Sequence, residues 1–187
     1  MIKLDTTTAN AIANQIGRDF KIQSMQSISG GDINTAFRFQ GESNSYFVKL
    51  NQADKHSMFE AEFAGLLALA ETHTVTVPQP LVHGVVNNAS FLVLEYLDLT
   101  RLTSSSERAL GEQLAALHLQ RQPYFGWHID NTIGSTPQVN PRTDDWITFW
   151  RESRLDFQLN LVKGHSKRLT SLGEQSKTSS KAGGLKT

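Results

Sequence analysis

One lysine constrains this chain more than any other residue. Lys49 stands in the run Tyr46-Phe47-Val48-Lys49-Leu50, with apolar neighbours on both sides. A buried ammonium without a partner is costly, so the fold must supply an anion or let the side chain reach water. The residues before it narrow the choice. A strand beginning at Ile22 is broken at Ser29-Gly30-Gly31-Asp32-Ile33-Asn34. Thr35-Ala36-Phe37-Arg38-Phe39 reads as a second strand, and Gly41-Glu42-Ser43-Asn44 turns the chain into the lysine strand. Adjacent glycines permit a tight turn and the close approach of a ligand, and main-chain N–H groups there can hold phosphate oxygens. A plain hairpin turn followed by a lysine that snorkels to solvent fits the same letters.

Size and charge bound what kind of molecule carries this stretch. With 187 residues and 39% hydrophobic content, the chain can bury a core and suits one domain or two small lobes. Its formal net charge is zero, which gives no general reason to expect nucleic acid or an anionic membrane as partner. Charge is unevenly spread: residues 1–162 hold 12 Lys and Arg against 17 Asp and Glu, while residues 163–187 hold six against one. The absence of cysteine excludes disulfides and thiolate metal sites. No apolar signal core follows Met1-Ile2-Lys3-Leu4-Asp5, and the longest apolar run, Ala64 to Ala70, is too short to span a bilayer. The expectation is a cytoplasmic protein with no membrane segment.

Along the chain, Thr6 to Phe20 reads as a helix capped by Thr6, Thr7 or Thr8, with Ile12 and Ile16 on one face. From His56 to Thr72, Phe59, Phe63, Leu66, Leu67 and Ala70 recur at helical spacing. Glu62 flanks that apolar face, and Glu60 lies about 160° round the helix from it at roughly 100° per residue. Glu62 is therefore the preferred partner for Lys49, the bland alternative being two solvated surface charges. Pro78 and Pro80 hold an extended segment. Leu81–Val86 and Ser90–Leu94, joined at Asn87-Asn88, read as a hairpin that runs into Glu95-Tyr96-Leu97-Asp98-Leu99. A helix capped within Ser104–Ser106 follows, with Leu110, Leu114 and Leu117 on its apolar face and a packed His118. The aromatic loop Phe125-Gly126-Trp127-His128-Ile129-Asp130-Asn131 and an irregular stretch around Pro137 and Pro141 lead to a last helix opened by Asp144 and Asp145. Trp146, Phe149, Trp150, Phe157 and Leu161 repeat along it; core burial is favoured over a sugar-lining role for the tryptophans. From Lys163 the chain turns to glycine, Ser and Thr with no aromatic, which reads as disorder and as a premature or frameshifted end.

In sequence order, these stretches resemble the fructosamine kinase (ketosamine kinase) family, relatives of aminoglycoside and choline phosphotransferases. The resemblance rests on Gly30-Gly31-Asp32-Ile33-Asn34-Thr35-Ala36, Phe47-Val48-Lys49-Leu50-Asn51, Phe59-Glu60-Ala61-Glu62 and Val77-Pro78-Gln79-Pro80. It continues through Phe91 to Leu97, Leu110 to His118, and most specifically Phe125-Gly126-Trp127-His128 through Pro137-Gln138-Val139-Asn140 to Asp145-Trp146-Ile147-Thr148-Phe149. It implies an α+β protein-kinase-like fold. Residues 1–97 would form an antiparallel-sheet N-lobe with one helix and a hinge, residues 98–162 the start of a helical C-lobe, and residues 163–187 a disordered tail. It implies transfer of the ATP γ-phosphate, with Mg²⁺, to a sugar hydroxyl of a small-molecule or protein-linked ketosamine. Gly30, Gly31 and Asn34 would form the phosphate loop, Lys49 would hold phosphates with Glu62 orienting it, and Glu95, Tyr96 and Leu97 would meet adenine.

The catalytic part of that pattern is missing from these residues. Such kinases use a His-x-Asp-x-x-x-x-Asn loop and a later metal-binding aspartate. His128-Ile129-Asp130 starts like that loop, but Ser135 stands where the asparagine belongs. No catalytic or metal-ligating residue is assigned, and the expectation is an N-terminal fragment with little or no activity. The alternatives are a pseudokinase-like binding module, another small-molecule kinase of aminoglycoside or choline type, and a decaying gene product that aggregates through Trp146, Phe149 and Trp150.

Overall fold

The structure, a computed structural model, describes residues 4–29, 33–164 and 166–182. It divides into two compact units, residues 1–121 and 122–187. The first unit is built on a five-stranded sheet with every neighbouring pair antiparallel. Its strands are β1 (Ser24–Ile28), β2 (Thr35–Gln40), β3 (Ser45–Gln52), β4 (Pro80–Val86) and β5 (Ala89–Glu95), in the order β1-β2-β3-β5-β4. The helices α1 (Thr6–Ile16), α2 (His56–Glu71) and α3 (Ser104–His118) complete the unit.

Strand alternation sends side chains to two opposite faces, and each face gathers its own core. Phe39, Val48, Leu50, Phe91 and Val93 pack with Ala9 and Ile12 of α1. On the other face Leu92 and Leu94 pack with Phe59 of α2, with Phe47, Phe63 and Leu66 around them. β5 is buried along six of its seven residues because it has neighbours on both edges and helices on both faces. Asn87 and Asn88 make the β4–β5 turn at φ 46° and 64°, a left-handed pair that asparagine tolerates and that matches strand twist.

Several boundaries differ from expectation for local reasons. Asp5, not a threonine, caps α1: its carboxylate accepts from Thr8 N–H at 2.7 Å, and that contact keeps its carboxyl below the usual range. α1 ends at Ile16, with the Gly17 N–H closing onto the Ala13 carbonyl, rather than running to Phe20. Thr103 caps α3 and exchanges hydrogen bonds with Ser106, a capping box one residue earlier than the serines suggest. No α3 residue is buried. The division between the two units falls after Arg121, and Gln113 of α3 lines a cavity with residues between Ala70 and Gln79 of the same unit.

The second unit holds β6 (Asn131–Ile133) paired with β7 (Thr136–Gln138), a hairpin inside the stretch expected to be irregular. After it come α4 (Trp146–Trp150), one π-helical turn (Arg151–Asp156), α5 (Phe157–Val162) and α6 (Lys167–Ala182). Asp145 caps α4 through Thr148 N–H at 2.8 Å. Within the stretch expected to be disordered, the described residues from Lys167 form a helix: Ser166 accepts from Leu169 N–H to start α6, and Leu159 of α5 packs so tightly on Gly173 that a β-carbon there would stand 2.4 Å from it, while residues 165 and 183–187 lie outside the described residues. Proline is absent between Lys167 and Ala182, so nothing blocks the helical ladder. No described helix is long and apolar enough to cross a membrane.

Phe59 is 1% exposed and joins α2 to the sheet at Leu92 and Leu94. Phe59→Ala is expected to destabilise the first unit by about 3–5 kcal/mol, read from a urea transition followed by far-UV circular dichroism.

Candidate functional site

Lys49 and Glu62 reach each other because strand register and helix phase agree. Lys49 lies on the α2 face of β3, directly opposite Leu92 of β5, and Leu92 packs under Phe59. Glu62 is three residues, close to one helical turn, beyond Phe59, so the apolar contact that seats α2 also swings Glu62 over the lysine. Lys49 Nζ donates to both carboxylate oxygens of Glu62, at 2.8 and 2.6 Å. The side chains are 22% and 34% exposed, so the pair is only partly sheltered from solvent. Glu60 is exposed, and its charge acts on the His83 ring instead.

The other residues singled out in the sequence are placed as follows. Asn34, just before β2, accepts from Asn51 Nδ2 at 2.7 Å, and the same amide donates to the Ile33 carbonyl at 3.2 Å. Asn51 is two residues beyond Lys49 on the same face of β3, so the end of the glycine loop is tied to the lysine strand. Gly30 and Gly31 lie outside the described residues. Glu95 ends β5; its N–H donates to the Gln79 carbonyl at 2.8 Å, and its carboxylate accepts from Gln79 N–H at 3.2 Å. Its main-chain donor is therefore committed. Tyr96 follows, its ring capped by the Arg38 guanidinium at 4.3 Å, and Leu97 lies beyond the end of β5 outside any regular element. Arg38 also donates to Ser45 Oγ at 3.1 and 3.3 Å, which locks β2, β3 and the segment after β5 together.

Sequence reasoning missed Arg38 and a pair of histidines. His56 Nε2 and His83 Nδ1 stand 3.0 Å apart with their rings stacked at 5.1 Å. Arg38 had a weak signal, since alternation in Phe37-Arg38-Phe39 puts it opposite the two core phenylalanines. The histidines had none, being 27 positions apart in the chain.

In the second unit, the Asp130 carboxylate accepts from Asn140 N–H at 2.8 Å. Asn140 is 5% exposed and fully engaged: its amide donates to the Ile129 carbonyl and Asn131 Oδ1, and its oxygen accepts from Arg154. The π-helical turn aims Arg154 at this cluster and at the Val139 carbonyl, 2.7 Å away. Burial pulls the Arg154 guanidinium below its ordinary value. Gly126 sits at φ +115°, and a β-carbon there would lie 2.2 Å from the Pro141 carbonyl oxygen, so only glycine lets these two segments pass. Trp127 lines an open cleft of about 710 Å³ with His128, Asp130 and Arg142; Trp146 and Trp150 are half-exposed, and Phe149 alone of the helix's large aromatics up to Trp150 is buried.

With this geometry, the comparisons with known proteins are decisive. The chain matches the fructosamine kinase family over residues 4–182. It belongs to that family. Among its relatives, a probable ketoamine kinase of Synechocystis sp. is 46% identical over 158 residues, 84% of this chain and 54% of the relative. A chloroplastic protein-ribulosamine 3-kinase of Arabidopsis thaliana is 39% identical over 150 residues, 79% of this chain and 46% of the relative. The crystal structure of a candidate fructosamine-3-kinase from Haemophilus somnus superposes with a TM-score of 0.75 at 30% identity, over 84% of this chain and 54% of that one. The chain thus spans about half the length of the relatives it matches. The fold is α+β and kinase-like.

The Lys49–Glu62 contact is part-exposed, so screening by solvent keeps its worth modest. A double-mutant cycle with Lys49→Met and Glu62→Gln is expected to give a coupling of about 1 kcal/mol in thermal unfolding, smaller at high salt.

Proposed function

We propose that this fructosamine kinase family member contributes the nucleotide-binding part of an ATP-dependent kinase that phosphorylates a sugar hydroxyl of a ketosamine, free or protein-linked. The observation that carries the reading is the two-oxygen clasp of Lys49 by Glu62. Glu62 fixes the ammonium in place through two of its three N–H donors, and the third would donate to a phosphate oxygen of a nucleotide. ATP, when bound, supplies the phosphoryl group. Gly30 and Gly31 would offer main-chain N–H groups to the phosphates, and Asn34, anchored by Asn51, would hold the end of that loop against β3. Because the Glu95 N–H already serves Gln79, the Tyr96 and Leu97 main chain and the Glu95 carbonyl would meet the adenine edge. Arg38 on the Tyr96 ring would keep that segment in register.

The proposed role is confined to binding and orienting the nucleotide; among the described residues no group of three or more His, Cys, Asp or Glu stands together. No aspartate in these 187 residues sits in a His-x-Asp-x-x-x-x-Asn setting. That favours a second reading for the polypeptide by itself, a module that holds nucleotide without transferring phosphate.

Two measurements test these readings. ATP at a hundredfold excess over its Kd should raise the thermal midpoint by the equivalent of about 2.7 kcal/mol, and Lys49→Ala should abolish the rise. Wild-type protein that shows no shift at millimolar ATP would remove the nucleotide site. In a radiolabelled transfer assay with Mg-ATP and fructosyl-lysine, the purified 187-residue polypeptide is expected to leave the ketosamine unphosphorylated; clear turnover would overturn the binding-only reading.

A further inference from the structure

The row of sheet residues that carries Lys49 carries a second polar contact to α2. Register sets His83, Leu92 and Lys49 side by side on β4, β5 and β3. Neighbouring strands are about 4.8 Å apart, so the histidine and the lysine stand roughly 10 Å from each other across Leu92. α2 crosses all three. His56 and Phe63 meet His83, Phe59 packs on Leu92, and Glu62 meets Lys49. On α2 itself, His56, Glu60 and Phe63 follow at i, i+4 and i+7, which makes one stripe facing β4. Phe59 and Glu62 form the neighbouring stripe toward β5 and β3. The His83 ring is thus held between a hydrogen-bonded imidazole at 3.0 Å and a phenyl ring whose centroid is 4.8 Å away.

We propose that His56 and His83 form a proton-dependent clasp in which His83 is a positioning residue: it sets where α2 stands over the sheet and so holds Glu62 against Lys49. The proposal rests on the nucleotide-site reading above.

The contact has a definite proton requirement. One ring nitrogen must donate and the other accept, which a neutral or singly protonated pair satisfies. Two imidazolium rings would set N–H against N–H and repel. Burial first, and then His56, holds His83 below the usual histidine range, while Glu60 acts in the opposite direction. Below the ordinary histidine value of about 6.5 the unfolded chain therefore binds a proton that the fold resists. The clasp's contribution is complete above that value and is lost as pH falls below it. The other charged groups on the packed elements are few. Glu62 is engaged with Lys49, and Asp54 and Lys55 before α2 pair with each other at 3.5 Å. β5 ends in Glu95, and α1, on the opposite sheet face, has no titratable side chain between Thr6 and Ile16 and only Asp5 as its cap. Histidine is the side chain whose ordinary pKa falls in this window.

The test uses the 187-residue chain labelled with ¹³C at glutamate carboxylates, titrated by NMR from about pH 8 to pH 5. In wild type, the Glu62 carboxylate resonance should show a step at the pH where the His83 ring titrates. In His83→Gln, which retains an acceptor for His56, that step should vanish while the spectrum at neutral pH stays folded. His56→Gln is the second variant and should remove the same step. In parallel, ATP affinity should fall about fivefold more between pH 7.5 and 5.5 in wild type than in His83→Gln, a comparison that cancels the nucleotide's own titration. A Glu62 resonance that ignores His83 titration, or an equal pH dependence of ATP affinity in both proteins, overturns the clasp. Loss of ATP binding at every pH with the Glu62 step intact overturns the nucleotide reading and leaves the coupling standing.

Discussion

Putting a lysine on the inner face of a packed strand obliges the fold to bring it a carboxylate. Lys49, flanked by Phe47, Val48 and Leu50 and only partly open to water, is met by Glu62, which can arrive only if α2 lies across the sheet at one height and one rotation. Phe59 on Leu92 and Leu94 fixes the height. The histidine–phenylalanine contact to β4 fixes the rotation from the other side. The ion pair itself is worth little as a stabiliser because it is half-open to solvent. Its importance is geometric: apolar packing does the holding, and the charge pair shows where the packing has put the ammonium.

The two units are ordered by different physics. In the first, a sheet covered on both faces buries large apolar side chains. In the second, the stretch from Phe125 to Thr143 has a polar centre. Asn140 is saturated by main-chain and side-chain partners, Asp130 and Arg154 close around it, and Gly126 allows the two segments to pass. Such a centre is intolerant of replacement, since removing any partner strands a buried polar group.

Much of the fold was legible in the sequence because its signals are local. Apolar runs bounded by turn residues marked β2, β3 and β5, the Asn87-Asn88 pair marked the hairpin turn, and the spacing of Phe59, Phe63 and Leu66 marked α2. Helix phase alone ranked Glu62 over Glu60 as the partner of Lys49. Caps were less legible: Asp5 and Thr103 took the places expected of Thr6 to Thr8 and Ser104 to Ser106, since any short oxygen-bearing side chain in the run can cap and backbone entry angle selects among them. The tail misled for a related reason. Its composition is that of a disordered segment, but nothing in it forbids a helix, and Leu159 against Gly173 supplies a packing contact that composition does not reveal.

What the sequence determined by itself was the menu: which segments are strands or helices, which lysine needs an anion, and, through its motifs, the family. These follow from periodicity and residue chemistry within a few turns of chain. What only the tertiary structure decided was which distant residues share a site. His56 with His83, Arg38 with Tyr96, and Arg154 with Asn140 are joined by strand register and by a π-helical turn that shifts helix phase. Register across non-consecutive strands such as β3 and β5 is settled by the mutual fit of whole faces, and no local pattern encodes it.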